Sequence, residues 1–177
     1  MNDNIQDIVK QIIYASPYIA NPSDIELTLL KGMPAEKVIP YLKILFSQEK
    51  NATIRSKTFG ALLALPKHDR VQYLLDIFEE SSLDWQIAIC EELGRLSPDS
   101  RSIVKLCSIA SSAPDPDLRF AAVESLGNIG DHMAIPTLEH VSHHDKGKDY
   151  EGFSIAKEAH IAQEKIQTRL RKNLPHT

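Results

Sequence analysis

The chain has 177 residues, 42% of them hydrophobic and 25% charged, an ordinary globular composition that argues against disorder outside the ends. Its formal charge of -4 and pI near 6.0 set it apart from general nucleic-acid binders, which need a clustered excess of Lys and Arg to neutralise phosphates. No stretch approaches the roughly 18 apolar residues of a membrane span. The polar, acidic start lacks the basic segment and apolar core of a signal peptide, so the expected compartment is the cytoplasm.

In chain order, residues 3–15 predict a short amphipathic helix with Ile5, Ile8, Val9 and Ile12 on one side, an N-terminal cap over the open end of the first repeat. From residue 23 the pattern becomes periodic. Ile39, Val71, Ile103 and Ile135 recur every 32 residues, as do Leu42, Leu74, Leu106 and Leu138, and also Leu45, Ile77, Ile109 and Val141. Each trio falls at i, i+3 and i+6, one face of a helix and not the alternation of a strand. A less regular helix precedes each, carrying Leu30 and Met33, Leu62 and Leu65, Leu93 and Leu96, or Leu126 and Ile129. Apolar columns at one fixed period are the signature of stacked repeats, each burying its apolar face against its neighbours.

Turn signals divide the pattern. Lys31-Gly32-Met33-Pro34, Leu65-Pro66, Ser97-Pro98-Asp99 and Gly130-Asp131 separate the two helices of a unit. Asn51, Asp84 and Asp115-Pro116-Asp117 fall between units, where Asp or Asn can cap the next helix. The units are therefore 23–50, 51–82, 83–114 and 115 to about 146. His143 to Phe153 is polar with two glycines and reads as an enlarged loop. A last helix over 154–172, with Ile155, Ala159, Ala162 and Ile166 on one face, reads as the C-terminal cap. Its Lys165, Arg169, Arg171 and Lys172 suit the negative end of its dipole. The expected fold is all-α: an α-solenoid of about ten helices forming one domain over residues 1–177.

Residues 115–141, DPDLRFAAVESLGNIGDHMAIPTLEHV, resemble the HEAT-like repeat of the phycobilisome lyase type. The resemblance lies in the Asp-Pro-Asp lead, Arg119, Ala121-Ala122, Leu126-Gly127, Ile129-Gly130-Asp131 and Ala134-Ile135-Pro136 with Leu138. Val38-Ile39-Pro40 with Leu42 repeats its second half, and Ile87-Ala88 with Leu93-Gly94 its first. Small residues at Ala121 and Ala122 let helices approach, and Pro136 is tolerated in a helix's first turn. The resemblance implies a right-handed superhelix of helix pairs, and for Arg119 a structural role in polar contacts between neighbouring units. Arg55 holds the same place and Gln86 departs from it, so an interruption is expected at the third unit. The family includes bilin lyases and many unrelated binding proteins, so the likeness carries the fold and not an activity.

His140, His143, His144, Asp145 and His160 form the one cluster suggestive of metal, with His140 and His144 at i, i+4. No H-E-x-x-H accompanies them, and the segment is leaving its helix. Nucleophile elbows and Gly-rich phosphate loops are missing, and Cys90 and Cys107 sit on or beside apolar positions, as structural thiols do. The expectation is a non-enzymatic chain without metal, cofactor or catalytic residues. From Asp76 to Glu92 there are six acidic residues and no Lys or Arg, either a field for a basic partner or a plain solvated surface.

Solenoids conventionally bind through the concave side lined by their second helices. Opposite or flanking the core columns there, the periodicity places Tyr41, Tyr73, Asp76, Lys105 and His140, with the 143–153 loop at one edge. Tyr41 and Tyr73 are either exposed anchors or rings packed at the core's rim. The expected function is a protein-binding module for a protein partner, in its concrete version an immunity or inhibitor protein covering a toxin or enzyme. The alternative is a bilin lyase-like enzyme or chaperone acting on a chromophore-carrying client.

Overall fold

A computed structural model describes residues 3–65 and 70–172; Pro66, half of one expected turn, lies outside the described residues. The described residues form ten helices and no strand beyond one isolated bridge, Lys148 to Ser154. They fall into two compact units, Met1–Arg70 and Val71–Thr177. The first holds α1 (Asp3–Tyr14), α2 (Asp24–Lys31), α3 (Ala35–Gln48) and α4 (Ala52–Ala64). The second holds α5 (Arg70–Phe78) from Val71 onward, α6 (Leu83–Leu93), α7 (Ser100–Ser112), α8 (Pro116–Ile129), α9 (Ile135–His144) and α10 (Ile155–Lys172). The pair expected to make the second repeat, α4 and α5, is thus divided between them.

The helices begin where short polar side chains can satisfy the unpaired first-turn amides. Ser23 and Glu26 form a reciprocal capping box on α2. Asn51, Asp99 and Asp115 cap α4, α7 and α8 through their side chains. Asp84 does not cap as expected: α6 starts two residues earlier, at Leu83 behind Ser82, and Asp84 sits in its first turn.

In the first unit α1 packs on α2, α3 and α4. Its buried face is Val9, Ile12 and Ile13, with Ile5 and Ile8 only half-buried. The core of α3 is Val38, Leu42 and Phe46, while Ile39 and Leu45 are half-buried. Beneath them lies a charged pair. Lys57 on α4 is fully buried, its Nζ 2.6 Å from Glu26 Oε1 and 3.1 Å from the Ser16 carbonyl.

In the second unit the helices stack as in an α-solenoid. First helices α6, α8 and α10 pack in succession, second helices α7 and α9 pack beside them, and α10 covers α8 and α9. Leu74, Leu106 and Leu138 are fully buried, as the central column of the repeat predicts. The first helices come close because small residues face each other. A Cβ on Gly94 would stand 2.9 Å from the Cα and 2.7 Å from the Oγ of Ser125, whose hydroxyl donates to the Cys90 carbonyl at 2.8 Å. Gly127 meets Ala162 of α10 in the same way. Gly94→Ala is expected to cost about 1–3 kcal/mol by overpacking, read by urea denaturation; an unchanged midpoint would mean that the helices can part there without cost.

Polar groups on the first helices tie each unit to the end of the preceding helix. Arg55 Nε donates to the Phe46 carbonyl at 3.0 Å, its guanidinium 5.4 Å from that ring's centre. Arg119 donates to the Ala113 and Pro114 carbonyls at 2.8 and 3.0 Å, and to Asp145 at 2.7 Å. Gln86 donates to the Phe78 carbonyl at 3.2 Å, so the third unit keeps the contact and loses only the charge. The expected interruption is a substitution of donor. At the C-terminal end Arg169 reaches across to the Gly127 and Gly130 carbonyls, both at 2.7 Å, joining α10 to the carbonyl end of α8.

Candidate functional site

The expected binding residues fare differently. Tyr41 is half-buried on α3 in the first unit; the other four belong to the second. Tyr73 is a correction: it is 3% exposed, and burial first, then the Asp76 charge, raises its phenol pKa. The reason is that α5 is short and buried around much of its circumference, with Val71, Tyr73, Leu74, Ile77 and Phe78 all inside. Its ring is core and cannot be a surface anchor. Asp76 is exposed and accepts a hydrogen bond from Gln72 at 2.7 Å. Lys105 turns inward, its ammonium paired with Glu79 and 4.4 Å from the centre of the Phe78 ring.

His140 is exposed and stacks on His144, ring centres 4.4 Å apart. Both edge a cleft of about 360 Å³ that also contains Arg119 and Asp145. The His144 Nδ1 bonds back to the His140 carbonyl at 2.9 Å. Among the described residues no group of three His, Cys, Asp or Glu is disposed to hold a metal. Burial pushes the Cys90 thiol up to about 12 and also raises Cys107, away from a reactive thiolate.

The more developed surface lies on the first helices. Residues 145–154 do not form a slack loop but a tight hairpin. The Asp149 carboxylate accepts the amides of Glu151 and Phe153 at 3.1 and 2.7 Å, Asp149 N–H donates to the Phe153 carbonyl, and Gly152 makes the turn at φ 89°, a conformation that favours glycine. The Tyr150 amide donates to Asp117 of α8 at 2.7 Å, anchoring the hairpin to the helix. It holds two aromatics outward: Tyr150 is 82% and Phe153 56% exposed. Phe153 stacks on Phe120 of α8 with ring centres 6.4 Å apart.

Phe120 is shared by two depressions. One, about 360 Å³, is framed by Asp84 and Glu91 of α6, Asp117 and Glu124 of α8, and Asp149 and Glu151 of the hairpin, with Ile87, Phe120 and Ala121 inside the frame. No Lys or Arg lines it. The other, about 320 Å³, is bounded by Phe153, Ile161, Lys157 and Glu158. Sequence reasoning missed this site although a signal was present. Asp84, Ile87, Ala88 and Glu91 recur 33 residues later as Asp117, Phe120, Ala121 and Glu124. One pattern, D-x-x-apolar-A-x-x-E, is therefore carried by two adjacent helices, and stacking brings the carboxylates to one depression.

A family model described as HEAT repeats matches residues 74–151, the span of α6 to α9 with most of α5 and the hairpin. Searches of curated proteins and of solved structures give no match. HEAT repeats are interaction scaffolds, and no helix among the described residues is long and apolar enough to cross a membrane. With stacked helix pairs, close small-residue contacts and carbonyl-binding Arg119 all lying within or beside the matched span, residues 74–151 are HEAT repeats.

Proposed function

We propose that the chain is a non-enzymatic protein-binding module whose partner docks on the first-helix face of the second unit, across α6, α8 and the 145–154 hairpin. The observation that carries this reading is the hairpin itself: a segment braced by Asp149 and Asp117 holds Tyr150 and Phe153 exposed beside an acid-framed groove. Exposed aromatics on a rigid support are the usual anchors of protein interfaces. The carboxylate frame opposes phosphate, which disfavours nucleic acid as the partner. In its concrete version the module is a cytoplasmic immunity or inhibitor protein that covers an enzyme or toxin. The phycobilisome lyase-type likeness of residues 115–141 supports the repeat architecture and leaves the activity open.

Affinity capture from native extract, with the parent chain and a Phe153→Ala, Glu124→Lys variant as parallel baits, tests the reading. One stoichiometric protein held by the parent and weakened at least about tenfold by the variant, with the melting temperature unchanged, is the expected result. Equal retention by both baits would remove this face from the interface. A coloured, covalently modified client among the captured proteins would favour the bilin lyase-like role instead.

A further inference from the structure

We infer that the occupant of this face is an extended, arginine-bearing segment of the partner, its guanidinium in the carboxylate-framed depression and a neighbouring apolar side chain in the depression beside Phe153 and Ile161. The inference rests on the docking reading above and adds the chemistry of what docks. Six carboxylates line the first depression and no Lys or Arg does; Arg95 stands outside the lining, 3.6 Å from Glu91, so the gathered like charges exceed that one cation, and a further bound cation relieves their mutual repulsion. The depression also has an apolar and aromatic interior, Ile87, Phe120 and Ala121, which offers nothing to a hydrated metal ion. Two of its acids are already engaged with backbone amides, Asp117 with Tyr150 and Asp149 with Glu151 and Phe153. Among the described residues no metal-holding group is found.

A guanidinium fits both halves of this description. Its planar face stacks on an aromatic ring while its several N–H donors reach carboxylates on different sides, and it is more weakly hydrated than the ammonium of Lys. The same pairing already occurs inside the chain, where Arg55 lies over the Phe46 ring. The second depression has a different character, with Phe153 and Ile161 exposed. Since both depressions share Phe120, a segment filling one passes directly into the other. An extended peptide with a cation beside an apolar residue satisfies the two at once.

The test is fluorescence anisotropy of the full chain with four labelled synthetic peptides on a common Gly-Ser backbone, carrying Arg with Leu, Glu with Leu, Leu alone, or Arg alone. The Arg-with-Leu peptide is expected to bind best and to weaken with added salt. It should also lose about tenfold or more in affinity on Glu91→Lys, Glu124→Lys and separately on Phe153→Ala. The corresponding Gln pair, checked for folding by circular dichroism, should give an intermediate loss. Equal binding of the Glu and Arg peptides, indifference to the charge variants, or binding of none of the peptides would overturn the proposal. If the Leu peptide binds as well as the Arg-with-Leu peptide and only Phe153→Ala weakens it, the arginine inference falls and the docking surface stands. Should a bound peptide be indifferent to Phe153→Ala as well, both fall.

Discussion

Replacing Glu26 with Ala is expected to destabilise the chain by about 3–5 kcal/mol, the cost of leaving one member of a buried ion pair without its partner. Lys57 is fully buried, and without Glu26 its ammonium keeps, among the described residues, the Ser16 carbonyl at 3.1 Å. Chemical denaturation followed by circular dichroism reads the loss, and a change below about 1 kcal/mol would mean that water reaches Lys57 on removal of its partner. Substituting both members together, Glu26→Leu with Lys57→Met, should recover most of the loss, since a packed apolar pair avoids both desolvation costs. The pair also sets an acid dependence. Burial pushes the Glu26 carboxyl up, but hydrogen bonds from Lys57 and Ser23 outweigh it and hold its pKa below the ordinary value. A folded-state pKa depressed in this way contributes stability that is complete above the unfolded value of about 4.3. That contribution is lost as pH falls through the folded value. The parent's denaturation midpoint should fall on acidification through that window, and Glu26→Gln should flatten the fall.

Leu106→Ala is expected to cost about 2–5 kcal/mol. Leu106 is fully buried on α7, a helix that packs against both α8 and α9, so the deleted methyls leave a cavity that two neighbouring helices restrain from collapse. Val104, on the opposite side of the same helix and 56% exposed, is the control: Val104→Ala should change stability by less than about 0.5 kcal/mol. Equal losses at the two positions would show that the helical register of α7 is wrong.

The repeat is legible in the sequence because its central column carries the strongest physical constraint. Leu42, Leu74, Leu106 and Leu138 are all fully buried, whatever the details of their neighbours. The flanking columns are less faithful. Ile39, Leu45 and Ile135 are half-buried, because a period of 32 says that a face is shared and leaves open how far each helix rotates about its axis. On α3 the rotation brings Val38 and Phe46 inward instead. The same limit explains Tyr73: next to Leu74 in a short helix, its exposure depends on how many sides are covered, which periodicity does not report.

The binding surface is legible only in part. The acidic run from Asp76 to Glu92 is visible, but charge along a chain does not say which residues converge. Glu79 goes to Lys105, and Glu91 and Glu92 both have Arg95 beside them, while Asp84 and Glu91 also meet acids of α8 and of a hairpin far later in the chain. The enlarged loop is recognisable, and its polarity suggests solvent. Its conversion into a braced hairpin depends on Asp149 and on the reach of Asp117, contacts without a sequence period. Tyr150 and Phe153 therefore escape notice in a segment whose charges, histidines and glycines dominate its sequence.

Hydrogen–deuterium exchange of the chain, alone and saturated with the partner recovered by capture, tests most directly where this chain binds. Docking on the first-helix face predicts slowed exchange at the amides of residues 149–153 and over the first turns of α6 and α8, with α7 and α9 unchanged. Protection confined to α7 and α9 around Lys105 and His140, with the hairpin exchanging as in the free chain, would contradict it.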